Sequence, residues 1–323
     1  MRQWFFHQIV QNCTKEAIDA LLRKWDASKG IARAEIYKHL STRRKETLLS
    51  QLAAETFVND QYFFKRQFAE KMIADFIQHL PEVKETKIEA DSEVILKAIE
   101  SQHGILVERA ANIYSFSHLT FQEYFTALYI ANQLDTKVLS NLADRYLFDD
   151  KWREVILLTA GMLHQADDFL WAIRSKLSKL ARNFNIVPFF SHVNKIMSKE
   201  TPYPPYVSRV LIMKYIFSVN RARERNYLDY LQVIEQCEII VQKIALAAAP
   251  ALARDHTIPS DFSFDPAALQ SINKYFKGAT MLVETLYSEC YISRDSRHQL
   301  LESLFAEPLT QIEPKNQRHS LFQ

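Results

Sequence analysis

Glycine is the scarcest informative residue in this chain. Only Gly30, Gly104, Gly161 and Gly278 occur among 323 residues, where average usage would be roughly 7%. Phosphate-cradling loops, nucleotide-binding crossover folds and β-barrels use glycine for positive φ and close backbone approach. Their absence is therefore expected, and no G-x-x-x-x-G-K-[ST] stretch exists. Cysteine is nearly as sparse. Cys13, Cys237 and Cys290 are far apart and odd in number, with no C-x-x-C spacing, so a disulfide framework or zinc site is not indicated. They read as small core residues in a reducing compartment. No apolar run approaches the ~20 residues of a membrane span. The opening Met1-Arg2-Gln3-Trp4-Phe5-Phe6-His7 has too short an apolar core for a signal peptide. A cytoplasmic protein without membrane contact is expected. The ten histidines show no H-E-x-x-H spacing, and no G-x-S-x-G exists. Metal and serine-hydrolase chemistry have no local support, and no enzyme is expected. Charge of one sign is also missing: 40 Lys+Arg against 38 Asp+Glu leave +2, which is not the balance of a nucleic-acid binder.

What is present is helical periodicity. Thr14 caps an expected helix over 14–25, with Ala17, Leu21 and Leu22 on one face before Trp25. Leu48, Leu49, Leu52, Ala53 and Phe57 mark a helix over 43–58. Phe68, Met72, Ile73, Phe76, Ile77 and Leu80 mark another over 67–80, which Pro81 stops. Residues 82–91 are charged and read as an exposed loop. Ser92 is placed to cap a helix over 92–102 that buries Val94, Ile95, Ala98 and Ile99, with Gly104 at its left-handed end. Ile105-Leu106-Val107 and Ile113-Tyr114-Ser115-Phe116 flank a polar link and predict a short hairpin. A helix over 119–133 follows, with Phe121, Tyr124, Phe125 and Leu128 on one face. Helix–helix–helix–hairpin–helix over 43–133 is the order of a winged-helix domain. From 136 onward everything reads as helix: 136–148, 151–164, 167–182, 206–220, 226–249, 267–290 and 294–306. Thr201-Pro202-Tyr203-Pro204-Pro205 reads as a linker and 251–264 as a loop. The fold class is thus mostly α: a winged-helix domain with one short β-hairpin, followed by α-helical domains.

The run Phe116-Ser117-His118-Leu119-Thr120-Phe121-Gln122-Glu123-Tyr124-Phe125-Thr126-Ala127 resembles the winged-helix signature of NACHT-type STAND NTPases, roughly F-x-H-x-[ST]-F-Q-E-[YF]-x-x-A. Four further stretches are similar to the same region of cyanobacterial NACHT proteins: Ala20 to Asp26, Ile36 to Leu40, Arg44 to Leu49, and Gln102 to Arg109. Phe276-Lys277-Gly278-Ala279-Thr280-Met281-Leu282-Val283 and Ser288-Glu289-Cys290 resemble the C-terminal helical domain of NACHT conflict systems. The resemblance implies a domain order. Residues 1–30 would end a first helical domain, 31–134 would form the winged helix and 135–200 a helical domain. Residues 205–310 would form a C-terminal helical domain of the conflict-system type, with 311–323 a tail.

In such a protein the P-loop and Walker B groups precede the winged helix, so this chain is expected to lack the NTPase domain and to have no NTPase activity of its own. The resemblance gives His118 one chemical role: contact with the β-phosphate of ADP when a NACHT NTPase domain docks, in cis or in trans. It implies no cofactor in this chain, ADP or ATP being held only by that other domain. Phe116, Phe121, Glu123, Tyr124, Phe125 and Leu128 would be signature and core positions. The implied function is a regulatory and sensor arm in bacterial defence or conflict signalling, triggered by an unidentified ligand, expected to be a protein.

Simpler readings of the same residues stay open. His118 could be a hydrogen-bonded structural histidine. Glu123 could act as an acid or base, though the sequence places no partner, or be a helix-N-terminal carboxylate satisfying the dipole and nearby donors. Arg43-Arg44-Lys45, and Arg209, Lys214, Arg221, Arg223 and Arg225, are basic clusters that a winged-helix nucleic-acid binder would use, or that simply face solvent. A stand-alone helical adaptor is the other alternative. Trp4, Trp25, Trp152 and Trp171 read as core or interdomain anchors.

Overall fold

The computed structural model describes residues 18, 40–80, 88–133, 135–183, 186–196, 204–221, 227–244 and 266–306. The chain divides into two compact units, Met1–Gln133 and Leu134–Gln323. The expected helix over 14–25, apart from buried Ile18, lies outside the described residues, as do the 251–264 loop and the tail.

The first unit runs helix, strand, helix, helix, strand, strand, helix. Helix α1 (Thr42–Val58) starts where the Ser41 side chain accepts the Arg44 N–H. It ends in a Schellman turn: Gln61 N–H donates to the Thr56 carbonyl at 2.8 Å and Asp60 N–H to Phe57 at 3.2 Å. Asp60 takes the left-handed position, φ 56°, usually filled by glycine. Strand β1 (Phe64–Lys65) and helix α2 (Arg66–Ile77) follow. Helix α2 stops short of the expected 80, its last residues forming turns. Helix α3 (Ile88–His103) begins four residues before the expected start at 92. Ser92 is thus no cap but a buried residue inside the helix. The buried face is also rotated from the expected one: Val94 is exposed, and Leu96 is buried with Ile95 and Ile99.

Strand β2 (Leu106–Ala110) and strand β3 (Ile113–Phe116) form the hairpin. Strand β2 extends through most of the polar link and turns at Ala111 and Asn112, the latter at φ 62°. A bulge between Glu108 and Ala110 interrupts the register. The sheet has three antiparallel strands in the order β1-β3-β2. Phe64 opposite Tyr114 forms the pair that the sequence pattern missed. Helix α4 (Leu119–Ala131) packs on α1, and α2 on α3. Arg66 ties the α2 start to α3, pairing with Glu70 and with Glu93, each at 2.6 Å. Arg66, then Lys97, hold the Glu93 carboxyl below its ordinary range.

The second unit is helical throughout its described residues: α5 (Thr136–Tyr146), a 3₁₀ turn (Asp150–Trp152), α6 (Arg153–Met162), α7 (Asp167–Asn183), α8 (Val187–Ile196), α9 (Pro205–Arg221), α10 (Tyr227–Ile244), α11 (Pro266–Leu286) and α12 (Arg294–Ser303). The last proline of the expected linker is the first residue of α9, where its fixed φ suits a helix start. Helix α11 is the hub, packing on α6, α7 and α10. Phe190, Tyr275, Phe276 and Phe305 form one aromatic cluster, with centroids 4.8–5.9 Å apart in the pairs that include Phe305. Phe305 reaches it from a left-handed backbone, φ 57°. Two arginines hold the C-terminal end of α12. Buried Arg174 donates to the Ser303 carbonyl and hydroxyl, both at 2.7 Å. Arg209 donates to the carbonyls of Glu302 at 2.8 Å and Leu304 at 3.2 Å. Cations at carbonyls left over from a helix end are favourable.

Gly278 explains part of the Phe276 to Val283 motif. A Cβ there would meet Leu177 Cδ2 at 2.5 Å and Phe148 Cε1 at 2.8 Å, so the glycine lets α7 approach α11. In an ordinary helix interior, glycine to alanine stabilises by about 1 kcal/mol. Here overpacking of about 1–3 kcal/mol opposes that gain. Gly278→Ala is expected to lower the melting temperature, and Gly278→Val to lower it further, as followed by circular dichroism.

Candidate functional site

The junction between β3 and α4 holds most of the residues singled out in the sequence. Ser117 N–H donates to the Ile105 carbonyl at 2.8 Å, which fixes the chain as it leaves the sheet. His118 then occupies the N-cap of α4 in extended conformation, with no side-chain capping bond. It is exposed, and its ring meets Phe121 edge-on at 5.7 Å. Among the described residues its ring has no hydrogen-bond partner, while its backbone carbonyl accepts the Phe121 N–H at 3.1 Å. The first-turn N–H groups of a helix carry partial positive charge. An exposed imidazole beside them can donate to an anion.

The other signature residues are placed as follows. Phe116 and Phe125 are buried with rings 6.4 Å apart, and Phe116 also meets Phe64. Tyr124 is buried and stands edge-on to Phe125 at 5.5 Å. Phe121 and Leu128 are half-buried. Glu123 is buried, but it is the fifth residue of α4 and the first turn holds no acid. A helix dipole acts within that first turn, so the dipole part of the Glu123 reading does not apply, while the side chain does have a partner in the fold.

Gln122 has a role that helical periodicity did not show. It is 2% exposed. Its Nε2 donates to Thr56 Oγ1 at 2.9 Å and to the Gln61 carbonyl at 3.3 Å. Thr56 Oγ1 in turn donates to the Leu52 carbonyl at 2.8 Å. Gln122 therefore ties the start of α4 to the Schellman turn that ends α1. The only hint in sequence was a glutamine amid apolar residues.

On strand β3, Tyr114 OH donates to Glu100 Oε2 at 3.1 Å. Burial, then Glu100, push the phenol up to about 12. Arg109, the residue displaced by the bulge, donates to Ser115 Oγ at 3.0 Å and the Ser117 carbonyl at 2.9 Å. That braces the strand leading to His118.

Part of the basic clusters is engaged by the fold, while Arg43 is exposed. Lys45 is 2% exposed. Arg209 caps α12, and Lys214 pairs with Glu238 at 2.9 Å. The Arg221 side chain, Arg223 and Arg225 lie outside the described residues. In a helix-turn-helix the second helix of the motif enters the major groove. That position belongs to α3, which carries Glu89, Asp91, Glu93 and Glu100 against a single Lys97. That excess of acid over base in the helix sequence disfavours phosphate contact. Trp152 is buried and stacks on Tyr146 at 3.9 Å; Trp171 is half-buried, and Trp4 and Trp25 lie outside the described residues. Cys237 and Cys290 are buried, and burial raises both thiols. Among the described residues no group of three or more His, Cys, Asp or Glu could hold a metal, and no helix is long and apolar enough to cross a membrane.

Residues 12–130 match the family model of the winged helix-turn-helix domain C-terminal to NACHT. No curated protein and no solved structure matches the chain. Over those residues the chain carries a winged-helix domain of the kind that follows a NACHT domain, and the mostly helical class with its hairpin is the one the sequence pattern predicts, the sheet gaining a third strand.

These placements separate three substitutions. Phe125→Ala is expected to cost about 3–5 kcal/mol, as a fully buried ring. Gln122→Ala should cost about 1–3 kcal/mol, because the α1–α4 contact loses a buried amide and leaves its acceptors unpaired. His118→Ala should stay within about 0.5 kcal/mol, as an exposed position. Urea unfolding of the three variants checks the ranking. A His118→Ala loss as large as that of Phe125→Ala would make the histidine a core element.

Proposed function

We propose that this chain is the regulatory and sensing arm of a NACHT-type switch. Its winged helix would close on nucleotide held by a NACHT NTPase domain, in the same protein or in a partner. The observation that carries this reading is the match of residues 12–130 to a domain defined by its position after NACHT. His118, exposed at the α4 N-terminus and with no side-chain capping bond, supports it: an imidazole donor beside helix N–H groups suits the phosphate of a bound ADP. The chain itself holds no Walker A loop and in this reading turns over no nucleotide and carries no cofactor. Residues 31–134 are the lever, and the helices after 135 receive the trigger, a protein in this reading. Loss of the winged-helix contact would let nucleotide exchange and the switch assemble. Defence or conflict signalling in the cytoplasm is the setting we infer. A winged-helix nucleic-acid binder is disfavoured by the acidic α3.

Calorimetry on the chain alone should show no ADP or ATP binding. With a NACHT NTPase domain added, ADP should promote association. His118→Ala should weaken that association by about ten- to a hundredfold, the worth of one hydrogen bond to a charged group, without changing the melting temperature. Micromolar ADP binding by the chain alone, or association indifferent to His118, overturns the reading. Binding to an unrelated protein without any nucleotide effect would favour a stand-alone adaptor.

A further inference from the structure

The second unit contains an open groove of about 750 Å³ between α5, α7 and α11. Its walls carry both signs of charge, but the signs are differently engaged. Every aspartate of the groove is already committed. Asp144 pairs with Lys176 at 3.5 Å, and Asp150 with Lys277 at 2.7 Å. Asp149 accepts the Lys151 N–H at 3.0 Å, capping the 3₁₀ turn. Three cations remain: Arg145, Lys179 and Lys274, all exposed and without a carboxylate partner among the described residues. They come from three different helices and converge on one concavity. Helix periodicity in the sequence gave no sign of the convergence.

Phe148 and Leu180 give the groove an apolar floor. The Phe148 ring is not free for stacking. Lys274 Nζ sits over it at 4.8 Å, and Phe148 Cε1 lies against Gly278. A nucleobase would find no open aromatic face there. The bound aspartates also retain lone pairs, and Asp150 is 83% exposed. These acceptors repel a uniformly anionic phosphate backbone. They accept N–H donors from a polypeptide instead. Cations without a carboxylate partner among the described residues, aspartate oxygens with spare lone pairs and an apolar floor together match a ligand that presents carboxylates, backbone N–H groups and small apolar side chains.

We infer that this groove is a docking site for an acidic peptide segment of a partner protein, with Arg145, Lys179 and Lys274 as its carboxylate contacts. The site lies outside the winged helix and does not depend on the reading of His118.

The test uses the full chain and fluorescence anisotropy at low ionic strength, where exposed charges act at longest range. The probe is a labelled peptide of alternating glutamate and alanine, about ten residues or roughly 33 Å extended. Comparators are an alternating lysine–alanine peptide, a single-stranded DNA of similar length, and inorganic triphosphate as competitor. The acidic peptide is expected to bind, and the basic peptide not. Lys179→Glu and Lys274→Glu should each weaken binding by about three- to tenfold, and the double variant by more. Both side chains are exposed, so the fold should be unchanged by circular dichroism; Lys179→Gln and Lys274→Gln serve in place of any variant that is not. Lys195→Glu, on α8 and also exposed, should leave affinity within about twofold. Absence of acidic-peptide binding, indifference to the groove variants, or an equal loss with Lys195→Glu overturns the proposal. So does tighter binding of DNA or triphosphate with the same variant dependence, which would assign the groove to phosphate.

Discussion

The winged-helix unit depends on how α4 is clamped to α1. A buried primary amide is costly unless its donors are used. Gln122 uses its Nε2 on Thr56 Oγ1 and the Gln61 carbonyl. Both acceptors belong to the turn that terminates α1. Rotation or sliding of α4 by one residue would strand the amide and expose Phe125, so one hydrogen-bonded contact and one buried ring set both the phase and the depth of the helix. Everything attached to the α4 start inherits that position. Strand β3 enters through Phe116, whose ring packs on Phe125, and His118 is delivered to the surface at the helix N-cap. A motif that mixes buried polar and apolar residues therefore serves two purposes: the buried members fix the geometry and the exposed one is left for a ligand.

The second unit solves a related problem at the end of its described chain. Helix α12 is short, and its last carbonyls lie where water is largely excluded. Arg174 and Arg209 supply donors to three consecutive carbonyls, Glu302 to Leu304. Arg174 is 4% exposed and has no carboxylate partner among the described residues. Its charge is met by the carbonyl end of the helix and by serine hydroxyls. Phe305 can then turn into the aromatic cluster with Phe190, Tyr275 and Phe276. A left-handed phenylalanine is unfavourable in isolation; burial of the ring offsets it.

Scarcity of glycine had a consequence beyond excluding glycine-dependent folds. The chain still needs left-handed residues at its turns. Gly104 supplies one, while Asp60, Asn112 and Phe305 supply others. Aspartate and asparagine tolerate that region through local hydrogen bonding, and the Asn112 N–H is met by Glu108 Oε1 at 2.7 Å. Turns are thus marked by Asx residues that composition alone does not distinguish from ordinary surface polarity.

Much was legible in the sequence because it is local. The periodic apolar faces of α1 and α4, the Gly104 stop before the hairpin, and the helical class itself follow from neighbours within a turn or two. The motif from Phe116 to Ala127 likewise lies in one continuous stretch. Partnerships between distant segments were not legible. Gln122 and Thr56 are 66 residues apart, and Arg174 and Ser303 are 129 apart. Strand β1 has two residues and no alternation to detect. Lys45 and Arg209 carry the same formal charge as any surface cation, and only their burial shows that they do not face a ligand. The rotation of the buried face on α3, which exposes Val94 and buries Leu96, depends on where α2 and the sheet lie. The sequence determines which segments are helical and where the signature sits. The tertiary structure alone decides which polar side chains are spent inside the fold and which remain for a partner, because burial and cross-chain hydrogen bonding are properties of the assembled core.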